Sequence, residues 1–153
     1  MLQVMKILNT LLLLVLFIHA SPAQIKWMKF EEAIAANEQD PKMILVDVYT
    51  DWCGWCKKMD KETFTDPQVI NHLNQNFYAV KLNAEDTNRT FQFMGKTYNE
   101  AQMAAAMRVR SYPNFVIIEP KLQNIAQLPG YRKPEDFLAG LDDLIKKAFG
   151  IKP

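Results

Sequence analysis

The sequence predicts an α/β domain with a central mixed β-sheet flanked by helices. Three features predict it. Strands and helices alternate through the first half, one strand is apolar on both pleat faces, and the second half closes on two adjacent strands suited to an antiparallel hairpin. Ile25-Lys26-Trp27 reads as a short opening strand. Phe30, Ala33 and Ile34 then recur at helical spacing across Phe30 to Ala36, and Asp40-Pro41 ends that element. Met43-Ile44-Leu45-Val46-Asp47-Val48-Tyr49 is apolar throughout except at Asp47, the pattern of a strand covered on both sides. Helix is predicted from about Cys53 to Thr63. Asp66-Pro67 starts the next one, with Asp as cap and Pro in the first position, and Phe77 to Leu82 is again a strand.

Beyond this βαβαβ unit, Phe91 to Tyr98 alternates and holds Gly95 at a turn position, which predicts a small hairpin inserted into the domain. Asn99 caps a helix that runs through Gln102 to Met107. Asn114 to Ile118 and Ile125 to Leu128 form the closing hairpin. The last helix is Pro134 to Phe149, with Phe137, Leu138, Leu141, Leu144, Ile145 and Ala148 on its core face and Gly150 as its stop.

Residues 1–23 are read as a leader rather than as part of the fold. Lys6 precedes the eight-residue apolar run Leu11 to Ile18, and Ala20-Ser21-Pro22-Ala23 supplies the small residues of a cleavage site, so cleavage is expected before Gln24. A run of eight is well short of the roughly 20 residues needed to span a hydrocarbon core, so no stable membrane insertion is expected after cleavage. The remainder, residues 24–153, makes one domain. Lys and Arg number 18 against 17 Asp and Glu, so no excess positive potential exists to attract nucleic acid or anionic lipid.

The chain has two cysteines, and both lie in Trp52-Cys53-Gly54-Trp55-Cys56-Lys57. Cysteines at i and i+3 after a buried strand bring two sulfurs within bonding reach across one helical turn, which is the pattern of a dithiol/disulfide couple. Cys53 falls at the expected helix N-terminus, where unpaired N–H groups favour a thiolate, and is read as the nucleophile. Cys56, one turn inward, is read as the resolving thiol. A structural disulfide across so short a loop would remove little unfolded-state entropy, and no second Cys pair or His cluster completes a metal site. Asp47, six residues before Cys53 on the central strand, is expected to have a raised pKa from burial. It is read as the group that takes the proton of Cys56, with a purely structural, hydrogen-bonded carboxylate as the alternative.

Val46-Asp47-Val48-Tyr49-Thr50-Asp51-Trp52-Cys53-Gly54-Trp55-Cys56-Lys57 resembles the active-site strand and helix start of the thioredoxin superfamily. Val80-Lys81-Leu82-Asn83 resembles that family's next central strand, whose lysine neighbours the buried aspartate. Val109 to Phe115 resembles the segment that carries the family's cis-proline, and Gly130 resembles the glycine after the final hairpin. The similarity runs from Ile25 to Phe149 and is nearest to exported bacterial thioredoxin-like proteins with a Trp-Cys-Gly-Trp-Cys centre. Trp55 stands where thioredoxin proper has proline, Asn114 stands where threonine is usual, and the chain between Asn83 and Pro113 is longer than in a minimal thioredoxin.

The resemblance implies a thioredoxin fold with a small insert before the cis-proline segment. It implies an exported thiol:disulfide oxidoreductase, periplasmic or secreted and monomeric, that reduces protein disulfides and is recycled by a separate redox partner. No cofactor is expected beyond the Cys53-Cys56 disulfide. Lys81 would support Asp47, and Trp52, Gly54, Trp55, Tyr112 and Pro113 would meet the substrate. The alternatives at this stage are an oxidase or isomerase of folding exported proteins, or a non-catalytic binding module or metal carrier. His72, among Asn71, Asn74 and Gln75, is read as a surface residue. Met103 and Met107 are read as core filling rather than soft-metal ligands, and Asn88-Arg89-Thr90 as a chance glycosylation sequon.

Overall fold

A computed structural model describes residues 24–151, and the expected leader lies outside the described residues. The element order is β1 (Trp27–Met28), α1 (Phe30–Gln39), β2 (Met43–Tyr49), α2 (Gly54–Lys58), a π-helical turn (Met59–Thr63) and α3 (Pro67–Asn76). It continues with β3 (Phe77–Asn83), β4 (Thr90–Phe93), β5 (Lys96–Asn99), α4 (Glu100–Ala106), β6 (Asn114–Ile118), β7 (Ile125–Pro129) and α5 (Pro134–Phe149). The main sheet has the order β1-β3-β2-β6-β7, parallel through β1, β3 and β2 and antiparallel through β6 and β7. This is the mixed sheet expected from the sequence. Among the described residues no helix is long and apolar enough to cross a membrane.

Strand β2 lies at the centre because its side chains are apolar on both faces. Leu45 joins Met59, Phe64, Phe115 and Phe137 in one core, under the π-helical turn, α3 and α5, while Ile44, Val46 and Val48 join Phe30, Val80 and Met103 in the other, under α1 and α4. The first core is held by edge-to-face aromatic packing: Phe137 meets Phe115 at 5.0 Å and Phe64 at 5.7 Å between ring centroids.

Four details depart from the sequence expectation. The opening strand forms at Trp27–Met28 instead of Ile25 to Trp27, because Asn74 holds the backbone of Gln24 and Lys26 outside the sheet. The single helix expected over Cys53 to Thr63 is a short α-helix that widens into a π-helical turn at Met59–Thr63. On α5 the core face is Phe137, Leu141 and Ile145 with Leu138 and Leu144 beside them, while Ala148 is exposed and Phe149 packs in its stead. His72 is half-buried, its ring against Phe77 and its Nε2 3.5 Å from Asp142 on α5, a carboxylate that local spacing could not reveal. Met103 and Met107 are buried, as expected of core filling.

The expected insert is the β4–β5 hairpin, turning at Met94 and Gly95, both with positive φ as a tight two-residue turn requires. It is fastened to the domain. Phe91 and Phe93 each place a ring 5.3 Å from Phe30, and Arg89 bridges Glu31 on α1 and Glu100 on α4. Glu100 also accepts the Asn83 N–H at 2.7 Å, so the insert is tied to the end of β3.

Removing the Phe137 ring leaves a cavity between Phe64 and Phe115. Phe137→Ala is expected to cost about 3–5 kcal/mol in urea unfolding, whereas Ile125→Ala at the exposed sheet edge is expected to cost under about 0.5 kcal/mol.

Candidate active site

The end of β2 delivers the chain to the cysteines. After Tyr49, the Cys53 N–H donates to the Thr50 carbonyl at 3.2 Å, a tight turn that starts α2 with Cys53 as its N-cap. Cys53 Sγ accepts the Cys56 N–H at 3.1 Å, and Cys53 and Cys56 form a disulfide with Cα atoms 5.3 Å apart. Each cysteine residue is only 4% exposed. A sulfur that caps a helix start sits where N–H dipoles converge, so negative charge on Cys53 is favoured there on reduction.

On β2, six residues before Cys53, lies Asp47, 1% exposed, in register with Lys81 on β3 and Phe115 on β6. Lys81 Nζ stands 2.9 Å from Asp47 Oδ2 and also contacts Asp60 Oδ1, from the π-helical turn. The ammonium is enclosed by rings, 5.0 Å from Trp27, 5.2 Å from Tyr49 and 5.5 Å from Phe64. Burial pushes Asp47 up to about 6 although Lys81 pulls the other way and Asp60 adds repulsion. Burial also opposes the charge on Lys81, but Asp47 and Asp60 together outweigh it and hold its pKa above the usual lysine value. Asp47 Oδ1 is buried without a partner, so one carboxylate oxygen remains free to take a proton.

Around the disulfide, Trp52 and Trp55 are 67% and 56% exposed. Trp52 stands edge-on to Tyr112 at 5.9 Å, and the Tyr112-Pro113 bond is cis. Gly54 opens the helix between the cysteines, where an added Cβ would meet nothing within 4 Å. The Pro113 carbonyl accepts the Gly130 N–H at 2.9 Å, joining this segment to the end of β7. Asn114 is buried, its amide donating to Gln127 Oε1 at 3.0 Å, while Gln127 donates to the Met107 carbonyl at 2.7 Å. Of the nine residues expected to form the site, Trp52, Cys53, Gly54, Trp55 and Cys56 are consecutive, Tyr112 and Pro113 join them through the Trp52 ring, and Asp47 and Lys81 pair on the adjoining strands.

Sequence reading passed over Asp60, Glu62, Glu85 and Tyr131. Asp60 follows Cys56 by four residues, so helical spacing alone could have flagged it as lying over the buried strand. Tyr131 follows Gly130, a position already singled out. Glu85 had no local signal: its carboxylate accepts the Trp52 indole N–H at 2.9 Å, across 33 residues.

A disulfide at a helix start that follows the central strand of a mixed sheet, with a buried carboxylate on that strand, defines a dithiol/disulfide protein of thioredoxin fold. A family model for the thioredoxin-like domain matches residues 30–145, and the chain belongs to that family. It is 31% identical over 113 residues to the thiol:disulfide interchange protein DsbD of Tatumella citrea, covering 71% of this chain and 17% of that protein. The chain spans less than a fifth of the length of the curated relatives it matches. A solved thioredoxin from Thermus thermophilus matches at TM-score 0.67 and 22% identity, over 83% of this chain and 92% of that one. The C-terminal domain of Neisseria meningitidis DsbD, in its oxidised form, matches at TM-score 0.57 and 17% identity, over 77% of this chain and 98% of that one. These two likenesses show the fold.

The raised pKa of Asp47 has a consequence for stability. The folded protein keeps this carboxyl protonated to about pH 6, whereas in the unfolded chain an aspartate loses its proton at about pH 4, so folding loses stability as pH rises through that window. Asp47→Asn is therefore expected to be more stable than wild type above pH 6, by on the order of 2 kcal/mol, with the gain absent below about pH 4 in urea titrations.

Proposed function

We propose that this protein is an exported thiol:disulfide oxidoreductase that reduces disulfides in protein substrates. The observation that carries the reading is the Cys53–Cys56 pair at a helix start, with Cys53 Sγ accepting the Cys56 N–H, directly after a central strand that holds a buried carboxylate with one free oxygen. The similarity to DsbD, a thiol:disulfide interchange protein, supports the same chemistry. Export rests on the apolar run and small-residue site within residues 1–23.

In the reduced protein the Cys53 thiolate attacks one sulfur of the substrate disulfide. A mixed disulfide forms and the other substrate sulfur leaves as thiolate. Cys56 gives its proton to Asp47 and attacks Cys53 Sγ. The Cys53–Cys56 bond re-forms and the second substrate sulfur leaves, so two electrons have passed from the dithiol to the substrate. No cofactor takes part, and a separate dithiol donor restores the reduced pair. Lys81 keeps Asp47 from drifting to a still higher pKa, so that the carboxyl is ionised and able to accept a proton near neutral pH. The substrate chain lies against Tyr112 and Pro113 as an added extended segment, flanked by Trp52 and Trp55 over Gly54.

Three measurements test this reading. The equilibrium potential against glutathione and dithiothreitol buffers is expected near about −250 mV or lower, while a value above about −180 mV would indicate an oxidase or isomerase. Absence of a reversible two-electron transition would leave a binding module. Cys56→Ser is expected to accumulate mixed disulfides on Cys53, and capture of none would refute the nucleophile assignment. In single-turnover reactions the release step is expected to slow as pH falls below about 6, where Asp47 is protonated, and Asp47→Asn is expected to be slow and insensitive to pH over that range.

A further inference from the structure

The two exposed tryptophans beside the disulfide are each paired with a tyrosine, and each pair is pinned by one glutamate. On one side, Trp52 stands against Tyr112, and Glu85 holds its indole N–H at 2.9 Å. Glu85 is in turn set by its own N–H, which donates to Asn83 Oδ1 at 3.0 Å at the end of β3. On the other side, Trp55 packs against Tyr131 at 5.2 Å between centroids, and the Tyr131 hydroxyl donates to Glu62 Oε2 at 2.6 Å. Lys58 Nζ lies over both rings, 5.3 Å from Trp55 and 5.0 Å from Tyr131, and 3.9 Å from Glu62 Oε1.

The second pair is bolted down at the backbone. Thr63 Oγ1 donates to the Arg132 carbonyl at 2.6 Å, and the Arg132 N–H reaches Met59 Sδ at 3.4 Å, so the π-helical turn that carries Glu62 also fixes the residue after Tyr131. The residues that fix Trp52 and Trp55 include one from each side of β2. Glu85 follows β3, and Tyr131 follows β7, beyond β6 in the sheet.

We infer that Glu85 and Glu62 are positioning residues that hold Trp52 and Trp55 as two prebuilt walls, making the disulfide selective for extended polypeptides with a bulky apolar residue beside the reacting cysteine. This rests on the oxidoreductase reading above and names its substrate class. The physical reason is preorganisation. A large ring already immobilised loses no rotamer freedom when a substrate side chain packs on it, so the contact contributes to affinity undiminished. Both glutamates are occupied as acceptors, and Lys58 offsets the charge of Glu62, so the walls offer ring surface to an uncharged side chain. A small disulfide such as glutathione disulfide lacks such a side chain and gains nothing from the pins.

The test uses the purified protein and synthetic disulfide-bonded peptides that differ only in Phe or Ser beside the attacked cysteine, with glutathione disulfide as the small substrate. Thiols are trapped and counted by mass, which keeps the readout independent of tryptophan fluorescence. Glu85→Ala and Glu62→Ala are each expected to raise KM for the Phe peptide about fivefold without changing kcat, and to leave the Ser peptide nearly unaffected. Glu85→Gln, which keeps an acceptor for the indole, is expected to restore the wild-type KM. Time-resolved anisotropy is expected to report faster tryptophan motion in both alanine variants.

Equal KM values for the Phe and Ser peptides in the wild type would overturn the selectivity, and an unchanged KM in both alanine variants would overturn the role of the pins. A parallel loss on all three substrates, or a shifted reduction potential, would also overturn it, because the glutamates would then act on the cysteines and not on the walls. Wild-type protein that turns over none of the disulfides would refute the oxidoreductase reading itself.

Discussion

A carboxylate in the middle of a seven-residue buried strand is tolerable only if a cation reaches it, and that requirement organises much of this domain. Asp47 is met by Lys81, its direct neighbour in the parallel register of β2 and β3, so a one-residue slip between those strands would leave one charge stranded in the core. Lys81 in turn needs surroundings that tolerate an ammonium with little water. Trp27, Tyr49 and Phe64 supply ring faces, and Asp60 supplies a second carboxylate. These groups come from β1, β2, the segment after the π-helical turn, and the turn itself. The ion pair therefore ties the strand that precedes the cysteines to the turn that follows them.

The π-helical turn is the local device that makes the arrangement possible. An α-helix continuing from Cys56 would advance about 100° per residue, whereas the wider turn over Met59–Thr63 resets the facing of the residues after it. From this one turn Asp60 reaches inward to Lys81, Glu62 reaches Tyr131, and Met59 and Thr63 hold the backbone of Arg132. The buried ion pair and the aromatic surface around the disulfide are thus both set by residues of a single segment. Departures from regular helix at such points recur near functional sites because they aim side chains that a regular helix cannot.

Much of the fold was legible because its signals are local. The two-faced apolar run of β2, the Asp66-Pro67 start of α3, the Asn99 cap of α4 and the Gly150 stop of α5 each depend on a few neighbouring residues, and each appears in the structure. The cysteine pair and the buried aspartate were legible for the same reason: spacing after an apolar strand needs no long-range information. The misplaced β1 and the half-buried His72 have the opposite origin, since Asn74 and Asp142 act on them from distant parts of the chain.

Sequence by itself determined the order of elements, the layered α/β architecture and the identity of the reactive pair, because hydrophobic period, capping chemistry and cysteine spacing are properties of short windows. Only the tertiary structure decided what surrounds that pair. Glu85 is 33 residues from Trp52, and Tyr131 is 69 residues from Glu62. Such contacts exist because the sheet order β1-β3-β2-β6-β7 brings the ends of β3 and β7 to the two flanks of the central strand, and no window of sequence records which ends become neighbours.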